Sequence, residues 1–229
     1  LTARAIATQG DTLAVSDLTI SGPDEVPGWR WTVQNAAVFD REPFHLQAAG
    51  TTMVTLTTGA DSELSWSGRV DAFGIAVQRD PRDVLSQSVI FRVNGLSLAG
   101  PDGSAPLTLS DGQLRLFISG RTGLLPVGTR FTLRLTDMTV PAMANTTLGS
   151  KIKSFTAEFG LNQKLDGYGY REAIGLFDPR TNGIRLGTIA LDWGALRFIG
   201  NGELRLPRTG VLDGTFDVRL TDLPTLLDA

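Results

Sequence analysis

Apolar and polar side chains alternate with a period of two along almost the whole chain, and helical spacing hardly occurs. Leu64, Trp66 and Val70 share one parity; Phe73, Ile75 and Val77 follow on the other, with Gly68 and Gly74 placed where a strand bends or bulges. Leu114, Leu116 and Ile118 alternate, as do Phe131, Leu133 and Leu135, and then Phe155, Ala157, Phe159 and Leu161. Leu204 and Leu206, followed after a turn by Phe216, Val218 and Leu220, close the series. Each run predicts an antiparallel strand with one apolar and one polar face. Gly100-Pro101-Asp102-Gly103, Ser110-Asp111-Gly112, Arg121-Thr122-Gly123, Thr181-Asn182-Gly183 and Arg208-Thr209-Gly210 read as the turns between them. Helix is expected only in short pieces: one turn in Asp80-Pro81-Arg82-Asp83, another between Arg171 and Phe177, and a C-terminal start at Pro224 leading into Thr225, Leu226 and Leu227.

A short phrase recurs. Ser16-Asp17-Leu18-Thr19-Ile20-Ser21-Gly22-Pro23-Asp24 resembles Asn94-Gly95-Leu96-Ser97-Leu98-Ala99-Gly100-Pro101-Asp102, Thr136-Asp137-Met138-Thr139-Val140-Pro141 repeats its core, and Thr221-Asp222-Leu223-Pro224 is a shortened copy. In each, a polar pair interrupts the alternation near the strand end, which predicts a bulge that resets the buried face. Similar strand-end chemistry and ancestral duplication both account for the recurrence. The expected architecture is all-β: a long, strongly curved antiparallel meander sheet, half-barrel or groove-like, with one or two short helices. Residues 1–229 read as a single β-rich domain, divisible into two pseudo-repeated halves, 1–103 and 104–229.

The 41% hydrophobic content is therefore spread along one face of each strand. A sheet this long must curl onto itself, pack on a second sheet, or be filled by something else. Aromatics occur in nearly every run, and Trp66, Phe73, Ile75, Phe91, Leu116, Phe131, Leu133, Phe155, Phe159 and Leu191 are the candidates for lining an apolar groove. An acyl chain would fill it: at about 0.8 kcal/mol per methylene, roughly sixteen carbons gain on the order of 12 kcal/mol before ordering costs. The plain alternative for the same residues is the core of a β domain. Lys151 and Lys153 either steer anionic lipid headgroups to the groove mouth or guard an edge strand against aggregation.

Composition removes most other chemistry. Lys+Arg is 21 against Asp+Glu 24, a formal charge of -3, so no basic field exists for a nucleic-acid partner. The absence of cysteine excludes disulfides, zinc ribbons and thiol catalysis, and the single His45 leaves no His-based zinc pair. His45 reads as a hydrogen-bonded strand residue. No phosphate-binding glycine loop, dinucleotide fingerprint, zinc-protease or EF-hand motif occurs. Asp80, Asp83, Asp102 and Asp111 suit a calcium site or a glycosidase pair on paper, but Asp in predicted turns serves the backbone first. No catalytic residue, metal or cofactor is assigned, and the chain is expected not to be an enzyme. Trp29, Trp31 and Trp193 leave room for a third reading, a glycan-binding β protein.

The C-terminal third carries a resemblance. Asp178-Pro179-Arg180-Thr181, Leu191-Asp192-Trp193-Gly194-Ala195-Leu196, Gly200-Asn201-Gly202-Glu203-Leu204 and Phe216-Asp217-Val218-Arg219-Leu220-Thr221-Asp222-Leu223 look like the bacterial envelope family catalogued as domain of unknown function 2125. Gly28-Trp29-Arg30-Trp31 and Arg41-Glu42-Pro43-Phe44 fit it more loosely. The Gly-x-Gly-x-Leu and Leu-Asp-Gly-x-Phe-Asp phrases also resemble the AsmA-like group of periplasmic proteins, which share lipid-facing curved sheets with TULIP-like folds. The resemblance implies a β-rich protein facing the periplasm, secreted or inner-membrane anchored in its full-length form, with a curved sheet whose concave face suits binding or transfer of lipid. An envelope scaffold or assembly factor that holds a protein partner is the alternative. Leu1 in place of Met predicts a trimmed or processed chain whose anchor lies outside these residues. No run of about 18 apolar residues occurs within them.

Overall fold

Alternating Val, Ile, Thr, Leu and aromatic residues favour extended backbone, and the chain forms strands wherever that alternation runs. The computed structural model describes residues 2–3, 5–9, 12–21, 28–39, 45–59, 62–80, 83–100, 105–118, 129–161, 184–205 and 213–221. The strands are β1 (Ala5–Gln9), β2 (Thr12–Ser21), β3 (Gly28–Phe39), β4 (His45–Gly59), β5 (Ser62–Asp80), β6 (Asp83–Ala99), β7 (Leu107–Ile118), β8 (Thr129–Thr139), β9 (Lys151–Leu161), β10 (Ile184–Trp193), β11 (Leu196–Arg205) and β12 (Asp213–Thr221). All belong to one antiparallel meander of 12 strands, ordered in space as in sequence and not closed into a barrel. Described helix is limited to the 3-10 turn Pro141–Met143, which no sequence pattern announced; Pro141 starts it because a fixed φ suits a first helical position.

Two expectations change. Ser110-Asp111-Gly112 is not a turn: it lies inside β7, which runs unbroken from Leu107 to Ile118. Asp80 and Asp83 close β5 and open β6, so they bracket a hairpin connection. The helices expected at 171–177 and from Pro224, and the turns at 101–103, 121–123, 181–183 and 208–210, fall outside the described residues.

Ser110-Asp111 misleads because it belongs to a device that recurs along the sheet. Buried Val15 and Leu18 are separated by the pair Ser16-Asp17, Val33 and Ala36 by Gln34-Asn35, and Val70 and half-buried Phe73 by Asp71-Ala72. Val93 and Leu96 stand in the same relation about Asn94-Gly95, as do Leu109 and Gly112 about Ser110-Asp111 and Leu135 and Met138 about Thr136-Asp137. A strict alternation would put the second residue of each couple on the wrong face. The pair absorbs the mismatch: Asp17 (φ 50), Gly95 (φ 59) and Asp137 (φ 48), at equivalent places in the recurring phrase, adopt the left-handed conformation. The predicted reset of the buried face is thus present in three copies; Asp222 of the fourth is outside the described residues. In β5 the parity changes at Asp71-Ala72, opposite Ala49, and not at Gly68 or Gly74.

The chain packs as two compact units. One comprises Leu1–Ala76, Phe91–Gly112 and Thr136–Lys151, and the other Val77–Ile90, Gln113–Leu135 and Ile152–Ala229. In the first, Val15, Leu18, Val33, Ala36, Leu46, Ala48 and Val70 form a buried cluster, with Trp31, Phe73, Ile75, Val93 and Leu96 packed against it. Trp31 is locked in place: its Nε1–H donates to Thr52 Oγ1 at 2.6 Å, that hydroxyl donates to the Thr32 carbonyl at 3.0 Å, and the Phe73 ring centroid lies 4.3 Å away. Thr52 is buried, so the relay satisfies groups that would otherwise lose hydration unpaired.

Candidate functional site

In the second unit the register aligns apolar residues across four strands. Ile152, Phe155, Ala157 and Phe159 of β9 stand opposite Trp193, Leu191, Ile189 and Leu186 of β10. Trp193, Leu191, Ile189 and Leu186 in turn face Leu196, Phe198, Gly200 and Gly202 of β11, and Phe198, Gly200 and Gly202 face Leu220, Val218 and Phe216 of β12. The side chains become more exposed toward β12: Ile152, Ala157 and Leu186 are buried, Phe155, Phe159 and Leu191 half-buried, while Phe216, Val218 and Leu220 remain 39%, 47% and 44% exposed. Phe198 and Phe216 stack with centroids 5.8 Å apart. The two glycines create this arrangement by leaving the β11 surface bare where the Phe216 ring lies. The Trp-Gly-x-Leu phrase is the β10–β11 hairpin, with Gly194 (φ 58) at the first position of a two-residue loop.

The sequence-predicted lining residues divide between the units. Trp66, Phe73, Ile75 and Phe91 lie in the first, Leu116, Phe131, Leu133, Phe155, Phe159 and Leu191 in the second, and every one is half-buried. Phe73 and Ile75 already pack on the side-chain cluster of the first unit. Phe155 and Leu191 are a direct cross-strand pair. Lys151 and Lys153 are exposed on either side of buried Ile152, and Lys153 Nζ lies 3.8 Å from Asp192 Oδ2. Their strand β9 sits between β8 and β10, so the edge-guard reading is corrected: no edge exists there to protect. Trp31 and Trp193 are half-buried, and His45 opens β4 opposite Phe39 and Ala76. Among the described residues no helix is long and apolar enough to cross a membrane, and no three His, Asp or Glu side chains are grouped to hold a metal ion.

Sequence reasoning missed a second feature, in the first unit. A hollow of about 570 Å³ lies over β3, β4, β5 and β6. Ala37, Ala49, Ala72 and Gly74 line it together with Ala36, Ala48 and Phe73 of the row between them, and Asn35, Gln47, Asp71, Arg92 and Asn94 supply its polar groups. Ala37, Gln47 and Gly74 stand in one transverse row and Asn35 and Ala49 in the next but one, so small residues occupy places beside long polar ones. Asp71 Oδ1 accepts from Arg69 Nε at 3.2 Å, and Asn94 Nδ2 donates to Asp111 Oδ2 at 2.7 Å. The available signal was the run of small residues at outward-facing strand positions, where Ala and Gly are poor choices.

A comparison with sequence families matches residues 12–229 to the family described as an uncharacterized protein conserved in bacteria (DUF2125). No curated protein and no solved structure matches the chain.

Proposed function

The chain belongs to this bacterial family, and from that premise we propose that it is a non-enzymatic lipid-binding or lipid-transfer protein of the cell envelope, holding an apolar chain against the β9–β12 face. The observation that carries this reading is the exposure gradient: a register-aligned apolar surface ends in Phe216, Val218 and Leu220, each more than a third exposed, on a strand whose polar alternates offer no reason for them. Exposed apolar surface costs free energy in water, and an acyl chain lying across the strands removes it. The bare backbone at Gly200 and Gly202 and the stacked Phe198 and Phe216 give that surface a shallow relief in which methylenes make non-directional contacts. Phe155, Phe159 and Leu191 extend it inward.

The groove-like curvature, the kinship with AsmA-like proteins and a periplasmic, inner-membrane-anchored setting belong to the same proposal. They are supported by the Gly-x-Gly-x-Leu phrase and by the meander itself. Organic extraction of the protein purified from its native envelope, followed by mass spectrometry, tests it. Stoichiometric lipid supports the reading; a chain that returns no lipid, and takes up no fluorescent fatty acid in vitro, defeats it. In that case crosslinking in the intact envelope to one stoichiometric protein would favour the scaffold reading, in which the same aromatic patch holds a partner.

A further inference from the structure

We propose that the hollow over β3–β6 in the first unit binds a hydroxylated carboxylate, the chemistry of a sugar acid. Its volume of about 570 Å³ falls within the range of roughly 300–1,000 Å³ typical of small-molecule sites. The space exists because Ala37, Ala49, Ala72 and Gly74 stand where an exposed sheet normally carries larger, better strand-forming side chains. The rim then defines the ligand. Arg92 is exposed and, among the described residues, makes no hydrogen bond or ion pair, whereas its neighbours are matched: Asp71 to Arg69, and Asn94 to Asp111. A guanidinium is a planar fork of donors whose best partner is a carboxylate bound through two parallel hydrogen bonds.

The remaining groups ask for hydroxyls. Asp71 keeps acceptor capacity beyond its bond to Arg69, and the amides of Asn35 and Gln47 each supply donors and an acceptor. A simple aliphatic acid satisfies Arg92 and leaves the amides with water. A neutral sugar does the reverse, and a phosphate brings its larger negative charge toward Asp71. One carboxylate on a polyhydroxylated ring meets the whole rim. This site lies in the first unit, whereas the proposed lipid surface lies on β9–β12 of the second, so it stands or falls separately from the lipid reading.

The test is titration of the full chain with glucuronate, glucose and acetate, followed by NMR shifts of backbone and side-chain amides. Glucuronate is expected to shift Asn35, Gln47 and Asn94 together, with glucose and acetate each binding at least about tenfold more weakly. Arg92→Gln is expected to weaken glucuronate by about tenfold or more and bring it level with glucose. Ala49→Thr fills the hollow and is expected to abolish binding while leaving the melting temperature unchanged or raised, since Thr is the better strand former. Equal binding of glucose or of acetate, or unaltered binding by either variant, overturns the assignment. Tighter binding of the methyl glycoside than of free glucuronate would place the ligand within a glycan, and weaker binding would make it a free acid; both outcomes uphold the site.

Discussion

Phe216 on β12 stands directly opposite Gly202 on β11, and its ring lies across the glycine: a Cβ at Gly202 would come 2.7 Å from the ring Cδ2. The same ring covers Gly200, where a Cβ would meet Cε1 and Cζ at 3.1 Å. Gly202→Ala must therefore lift the ring off the strand and also push back the Thr215 carbonyl oxygen, which the Cβ would approach more closely still, and overpacking of this kind costs about 1–3 kcal/mol. Urea denaturation should show that loss in Gly202→Ala and a smaller but still measurable one when Phe216→Ala is already present, because the ring is then gone while the Thr215 carbonyl oxygen remains against the added Cβ. Equal losses in both backgrounds would mean that the Thr215 carbonyl, and not the ring, sets the cost.

The left-handed residue of the recurring phrase is a second backbone constraint. Asp137 is exposed, so a substitution there changes little except its conformation at φ 48. Asp137→Val should cost about 1–2 kcal/mol, since a β-branched side chain crowds its own carbonyl in that region, while Asp137→Asn should be nearly neutral. Thermal melts of the two variants side by side decide it. A valine variant as stable as the asparagine one would show that the strand can pass this point with ordinary extended backbone.

The β5, β7, β8, β9 and β12 strands were legible in the alternation because one-sided burial writes a period of two into each. The positions of the face resets were legible for Ser16-Asp17, Asn94-Gly95 and Thr136-Asp137, where the repeated phrase gave three chances to see them. Ser110-Asp111-Gly112 was misread because a polar pair followed by glycine is equally good chemistry for a turn and for a mid-strand step; the unbroken course of β7 through them settles it, and Asn94 donates across to Asp111. The hollow was invisible for a related reason. Ala37, Ala49 and Gly74 are unremarked in their own strands and come to line it only once the register of β3, β4 and β5 brings them together. Lys151 and Lys153 looked like an edge because charge on a strand is one way to protect one, and strand order is not written locally.

Thr52 offers a buried test. Its hydroxyl accepts from Trp31 Nε1 and donates to the Thr32 carbonyl, so Thr52→Val keeps the shape and strands both groups. The expected loss is about 1–3 kcal/mol, the penalty for an unsatisfied buried polar group. Trp31 fluorescence should change as well, because the indole loses the partner on its N–H. A stability change below about 0.5 kcal/mol would mean that water reaches the indole.

The exposed and buried apolar residues should respond in opposite senses. Val218→Thr and Leu220→Thr, at side chains 47% and 44% exposed, are expected to leave stability within about 0.5 kcal/mol. The same pair should lower fatty-acid uptake severalfold. Leu18→Ala, at 1% exposure, should instead cost about 2–5 kcal/mol and spare uptake so long as the protein remains folded. Uptake that follows stability in all three variants, and not the location of the change, would remove β12 from the binding surface.

Because neighbours in the sheet are also neighbours along the chain, each strand needs only its predecessor as a template. Pairing is then always between sequential strands, so contacts stay local along the chain and the sheet can be laid down in order as the chain is delivered from its N-terminal end. The same connectivity lets a whole hairpin be gained or lost without disturbing the registers on either side, so the width of the sheet can change by units of two strands.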